Sequence, residues 1–217
     1  MARDPVALQK AVENAPDLPT LPAVLSRMHA ALADPHTSAT AIGDILQQDP
    51  ALTARTLKLV NSAFYGFPQK INSVTRAIVI LGFNKVREVL LTASVFQAFQ
   101  RNEPAGFDFS GFWIHSLGTA VSAQTLAKNL KLACVEDAFV AGLLHDLGKI
   151  VLAHQLTPEF KEVAARVKSE NLLMVQAEDR ILGLNHTSIG RWLVERWNFP
   201  PALVTPIRFH HTPALAR

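Results

Sequence analysis

The chain has 217 residues, 49% of them apolar and 18% charged, which excludes a wholly disordered polymer and bounds the answer at one domain or two closely packed lobes. One cysteine, Cys134, excludes an internal disulfide framework and any cysteine-based zinc cluster. The 21 basic residues outnumber the 18 acidic ones by only three and are dispersed, so the isoelectric point near 9.2 does not argue for nucleic-acid binding.

Helical periodicity dominates in chain order. Helices are expected near 5–14, 22–33 and 39–48. Asp49-Pro50 reads as an N-cap acid followed by proline at the first helical position, opening a helix over 50–64 that closes at Tyr65-Gly66. Further helices are expected near 74–82, 85–100 and 111–130. In 136–155, Val140, Leu143, Leu144, Leu147 and Val151 recur at steps of three and four and form one apolar stripe. Thr157-Pro158-Glu159 looks like a second capped start, and helices near 173–183, 187–198 and 201–210 complete the chain. Hairpin signals are absent, which predicts an all-α fold. No apolar run reaches the roughly 18 residues a membrane span requires, and the N-terminus lacks a secretory pattern, so a cytoplasmic location is expected. The segment 101–110, RNEPAGFDFS, is the best internal boundary. It divides an N-terminal helical lobe, 1–105, from a C-terminal one, 106–217.

Six of the eight histidines, His115, His145, His154, His186, His210 and His211, follow that boundary. The sharpest local feature is LLHDLGK, residues 143–149, where Asp146 directly follows His145. Neighbouring helical residues point about 100° apart, so a metal touching both would sit at the helix edge. Imidazole beside carboxylate suits a divalent ion of the Mn, Fe, Mg or Ni type. Ala138, Ala141 and Gly142 near His145, and Gly118, Thr119 and Ser122 near His115, form two small-residue stripes that would let two helices bring both imidazoles into one cleft. Taken singly, each histidine has a plainer reading as a donor to a backbone carbonyl. His154 reads as a surface or capping residue, His210-His211 as favourable imidazoles at a helix C-terminus, and Cys134 as a small apolar filler. Trp113, Trp192 and Trp197 read as helix-packing residues, and Lys149 as a solvated lysine that could instead meet an anion.

The chain resembles the HDOD domain, a bacterial relative of the HD metal-dependent phosphohydrolases. The resemblance runs through LPTLPAVLSRM (18–28), ILQQDPALTARTLKLVNSAFYG (45–66), INSVTRAIVILGFNKVREVLL (71–91), FWIHSLGTAVSAQTLA (112–127), EDAFVAGLLHDLGKIVL (136–152) and ILGLNHTSIGRWLVERWNFPPALVTPIRFHH (181–211). It implies an HD-like helical bundle with an additional N-terminal helical lobe. It also implies a regulatory module of bacterial signal transduction that works with receiver, kinase or cyclic-di-GMP-turnover proteins. By the same resemblance His115 matches the first metal ligand of catalytic HD proteins, and His145 with Asp146 match the pair. His186, His210 and His211 look like the later histidines of relatives that carry a GYP triplet, which is missing here. The final aspartate of catalytic HD proteins has no counterpart, since Asp179 is the last in the chain. The expectation is therefore a non-catalytic signalling module binding a partner protein or small ligand, with a metal-dependent phosphohydrolase acting on a nucleotide or cyclic dinucleotide as the alternative.

Overall fold

The structure is a computed structural model that describes residues 8–10, 27, 31, 36–63, 65–99 and 106–216. Eleven α-helices and one short 3-10 turn make up the described residues, with no strand among them. Of the helices expected near 5–14 and 22–33, all but residues 8–10, 27 and 31 lie outside the described residues, as does most of the 18–28 motif. The chain divides into two compact units, Thr20–Arg101 and Asn102–Arg217, the latter together with Met1–Pro19.

The first unit contains α1 (Ala39–Gln47), α2 (Pro50–Val60), α3 (Val74–Leu81) and α4 (Phe83–Phe99). Each of the first three starts on a side-chain cap: Ser38 accepts from the Ala41 N–H, Asp49 from Leu52 and Ser73 from Arg76. These caps satisfy N–H groups that a helix start leaves orphaned. Helix α2 stops at Val60, short of the expected Tyr65. Asn61 turns the chain there by donating to the Leu57 and Ile71 carbonyls and accepting from the Ile71 N–H. Ile42, Leu46, Leu52, Val60, Val74, Ile78, Val86 and Leu90 form the core.

The second unit contains α5 (Phe109–Asn129), α6 (Val135–Leu144), α7 (Leu147–Gln155), α8 (Thr157–Glu170), α9 (Met174–Leu182), α10 (His186–Arg196) and α11 (Pro201–Phe209). Asp108 caps α5, and Phe107, Phe109, Phe112, Trp113 and Phe160 cluster beside its first turns. Helix α8 departs from the expected cap. Thr157 is already helical and its hydroxyl donates back to the Ala153 carbonyl at 2.7 Å. Cys134 is exposed at the start of α6 rather than packed inside. Leu143, Leu144, Leu147 and Val151 are all buried.

Two glycines set how closely helices approach in this unit. A Cβ on Gly142 would lie 2.8 Å from the Ala120 Cα, so α5 and α6 meet at the small-residue stripes. A Cβ on Gly148 would lie 1.9 Å from the His186 carbonyl oxygen, so α7 and the start of α10 are in backbone contact. No helix among the described residues is long and apolar enough to cross a membrane.

Candidate metal centre

The apolar stripe over 136–155 is one in sequence but two helices in space. Helix α6 ends at Leu144, and Asp146, with φ −100° and ψ 5°, takes the chain into α7. The break matters chemically. Residues inside a helix diverge by about 100°, whereas His145 and Asp146 sit at a corner and converge, with Nε2 3.3 Å from Oδ2. His115 comes from α5 through the Gly142 contact, His186 from the first position of α10 through the Gly148 contact, and His210 and His211 from the end of α11.

Nε2 of His115 lies 3.3 Å from Nε2 of His145 and 3.4 Å from Asp146 Oδ2. On the other side of the carboxylate, Oδ1 lies 3.2 Å from His186 Nε2 and 3.6 Å from His210 Nε2. His186 Nε2 is in turn 3.3 Å from His210 Nε2 and 3.1 Å from His211 Nε2. All six residues, His115, His145, Asp146, His186, His210 and His211, thus share one cluster. The donor atoms form two groups, His115–His145–Asp146 and His186–His210–His211, with Asp146 between them. His154, on the last turn of α7, lies in neither group.

The hydrogen bonds decide which nitrogen faces inward. His145 Nδ1 donates to the Gly142 carbonyl at 2.7 Å and His210 Nδ1 to the Ile207 carbonyl at 2.9 Å. His186 Nδ1 lies 2.6 Å from Glu178 Oε2. With Nδ1 protonated, each neutral imidazole presents an Nε2 lone pair to the centre. Those lone pairs face carboxylate oxygens, which also only accept, and Asp146 Oδ1 is buried without a hydrogen-bond partner. Acceptors facing acceptors need a cation or protons between them.

The spacing fits a metal. Metal–nitrogen bonds of about 2.0–2.1 Å place neighbouring donors roughly 2.8–3.4 Å apart on an octahedron or tetrahedron; the separations here run from 3.1 to 3.4 Å except His210 to Asp146 Oδ1, which at 3.6 Å must close by about 0.2 Å. The charges of the cluster are strongly coupled. Burial works to raise the Asp146 pKa, but the surrounding imidazoles of His145, His186 and His210 outweigh it and hold the carboxyl far below its usual range, so the group is ionised. Burial likewise works to lower His186, but Asp146 and Glu178 raise it above the ordinary value, which favours a protonated ring whose proton a bound ion would have to displace. His211 goes the other way: burial first, then the neighbouring His210 and His186, push it down to about 4, so its ring stays neutral at physiological pH.

Two contacts were not apparent in the sequence. Lys149, expected in solvent, places Nζ 2.6 Å from Asp146 Oδ2 and neutralises that oxygen. Glu178 is fully buried and bonded to His186. Its signal was its register: Met174, Ala177, Ile181 and Leu182 outline the inward stripe of α9, and Glu178 stands within it.

The fold and this cluster together define a helical HD-type scaffold that presents an imidazole–carboxylate centre. Residues 18–213 match the family model of the HDOD domain, and the chain belongs to that family. It is 30% identical to an HDOD domain protein of unknown function from Geobacter sulfurreducens, with a TM-score of 0.86 over 97% of this chain and 70% of that one. A protein from Shewanella amazonensis SB2B, provisionally named a phosphohydrolase, is 29% identical with a TM-score of 0.80, covering 95% of this chain and 72% of that one. One from Marinobacter aquaeolei VT8, provisionally named a signal transduction protein, is 26% identical with a TM-score of 0.75 over 95% and 49% of the two chains. An uncharacterized protein of Treponema pallidum is 29% identical over 90% of this chain, which spans 38% of that relative's length.

Proposed function

We propose that this chain is a regulatory signalling domain that holds a divalent metal ion at Asp146 Oδ1, His186, His210 and His211 and does not turn over substrate. The observation that carries the reading is the orphaned, buried Oδ1 of Asp146 facing imidazole nitrogens whose Nδ1 protons are already committed elsewhere. Four protein donors close a tetrahedral sphere, the pattern of a structural site, whereas an octahedral ion of the Mn, Fe or Mg type would keep two positions for water. The ion would tie α7, α10 and the end of α11 together, so occupancy would set the shape these helices offer to a partner. By family resemblance the partners are signalling proteins of the receiver, kinase or cyclic-di-GMP-turnover type. The name of the Marinobacter relative is in keeping with this.

A second reading has its own observation. The His115–His145–Asp146 group is the open half, because the His115 side chain is 58% exposed. A cleft of about 330 Å³ that includes His145, His210, Thr119, Ala141 and Asp137 adjoins it. A divalent ion there would supply Lewis-acid polarisation of a phosphoryl oxygen. Lys149 would offer its ammonium to a phosphate, and His115 could exchange protons with solvent. This is the metal-dependent phosphohydrolase alternative, with a nucleotide or cyclic dinucleotide as substrate. One carboxylate among five imidazoles offsets little of the ion's charge, which disfavours it. Assaying metal-loaded protein against phosphomonoesters and cyclic dinucleotides separates the two. The regulatory reading expects bound metal without turnover. Metal-dependent turnover abolished by His145→Ala and Asp146→Ala in folded variants would replace it with the enzyme reading.

A further inference from the structure

The imidazoles of the cluster are oriented in two different ways. His145 and His210 each follow the last residue of a helix, so a carbonyl three residues earlier in that helix, from Gly142 or Ile207, receives the Nδ1 proton. His186 is the first residue of α10 and has no helical turn behind it. Its Nδ1 is met instead by a side chain from another element, Glu178 of α9, at 2.6 Å, and the same oxygen accepts the His186 main-chain N–H at 2.9 Å.

Glu178 is an expensive residue to place there. It is fully buried, its other oxygen Oε1 has no hydrogen-bond partner, and among the described residues its one ion-pair partner is His186. A carboxylate withdrawn from water with so little compensation is a poor choice for stability alone. As a cap Glu178 takes only the His186 N–H, while Asn185 accepts from the Thr187 N–H at 3.0 Å. What Glu178 adds is control of a ring: it fixes the Nδ1–H tautomer, aims Nε2 at Asp146 Oδ1 and increases the electron density on Nε2.

We propose that Glu178 is a positioning residue that makes His186 the anchoring donor of the metal centre, forming a carboxylate–imidazole–metal relay across α9 and α10. The proposal rests on the metal-binding reading above and adds a residue that does not touch the ion. Partners of this kind typically change metal affinity by about 10–100-fold.

The test uses the full chain, stripped of metal and titrated calorimetrically with Mn or Ni. Glu178→Gln keeps the length and the acceptor oxygen and removes the charge. Affinity is expected to fall about 10–100-fold while circular dichroism and the thermal midpoint of the metal-free protein stay close to wild type. Because the effect passes through His186, the double variant His186→Ala with Glu178→Gln should bind no more weakly than His186→Ala alone. Unchanged affinity in Glu178→Gln, or additive losses in the double variant, would overturn the proposal. A readout independent of variant folding is the imidazole proton of metal-loaded wild type by NMR. A downfield, exchange-protected Nδ1–H assigned to His186 is expected, and a ring without that proton overturns the proposal. Failure of the underlying reading looks different: wild-type protein would bind no metal at all, and both statements would fall together.

Discussion

Replacing Gly148 by alanine places one methyl group where two backbones touch. The new Cβ would start 1.9 Å from the His186 carbonyl oxygen and 2.8 Å from the Gly190 nitrogen, and neither obstacle is a side chain that can rotate away. Real Cβ contacts end near 3.0 Å, so α7 and α10 must separate locally by ~1.1 Å. Overpacking of this kind costs about 1–3 kcal/mol. With a urea m-value of about 2 kcal/mol/M the midpoint should fall by roughly 0.5–1.5 M. The same separation acts on the centre, because Asp146 and His186 flank the contact and their 3.2 Å approach crosses it. Functional geometries tolerate displacements of only about 0.5 Å, so metal affinity should fall at least about 10-fold. Gly118→Ala is the control. Its Cβ would meet nothing within 4 Å, and alanine in that helix interior should stabilise the protein by about 0.5–1 kcal/mol without altering metal binding. Urea denaturation of metal-free protein and calorimetric metal titration read both effects. An unchanged midpoint and unchanged affinity in Gly148→Ala would refute the claim that this glycine sets the α7–α10 approach.

Leu144→Ala should lower stability by about 2–5 kcal/mol, since Leu144 is fully buried and its loss leaves a cavity; urea unfolding would expose an error as an unshifted midpoint. Burial holds His154 below the ordinary imidazole pKa, so the folded protein prefers it neutral. Its contribution is complete above about pH 6.5 and declines as the pH falls, because the unfolded chain takes up the proton first. His154→Gln should therefore flatten part of the acid side of the stability profile, and identical slopes for variant and wild type would contradict this. Purified protein supplied with Mn or Mg should show no phosphoester or cyclic-dinucleotide hydrolysis above a metal-only control.

The fold class was legible because periodicity and caps agree: Asp49-Pro50 opens α2 as its residue types require. The close α5–α6 approach was legible at Gly142, whose lack of a side chain admits the backbone of Thr119 and Ala120, but Gly118 of the other stripe faces open space and takes no part in it. The corner at His145-Asp146 was not. Val140, Leu143, Leu144, Leu147 and Val151 remain in helical register across it, so hydrophobic spacing alone cannot reveal a two-residue break. The end of α2 was missed because Asn61 stops it through carbonyl and amide groups of Ile71, ten residues away. Glu178 and Lys149 were hidden for a related reason. A charged residue on an amphipathic helix reads as solvated until the structure shows that its neighbours are His186 and Asp146.

The most direct test of the central claim is titration of metal-stripped protein with a divalent ion of the Mn, Fe or Ni type, followed by calorimetry and by the thermal midpoint. The account predicts saturable, stoichiometric binding that raises the midpoint with ligand concentration, with loss of that binding in Asp146→Asn and measurable but weakened binding in His186→Ala. Folded wild-type protein that shows no saturable binding and no shift in midpoint would contradict it.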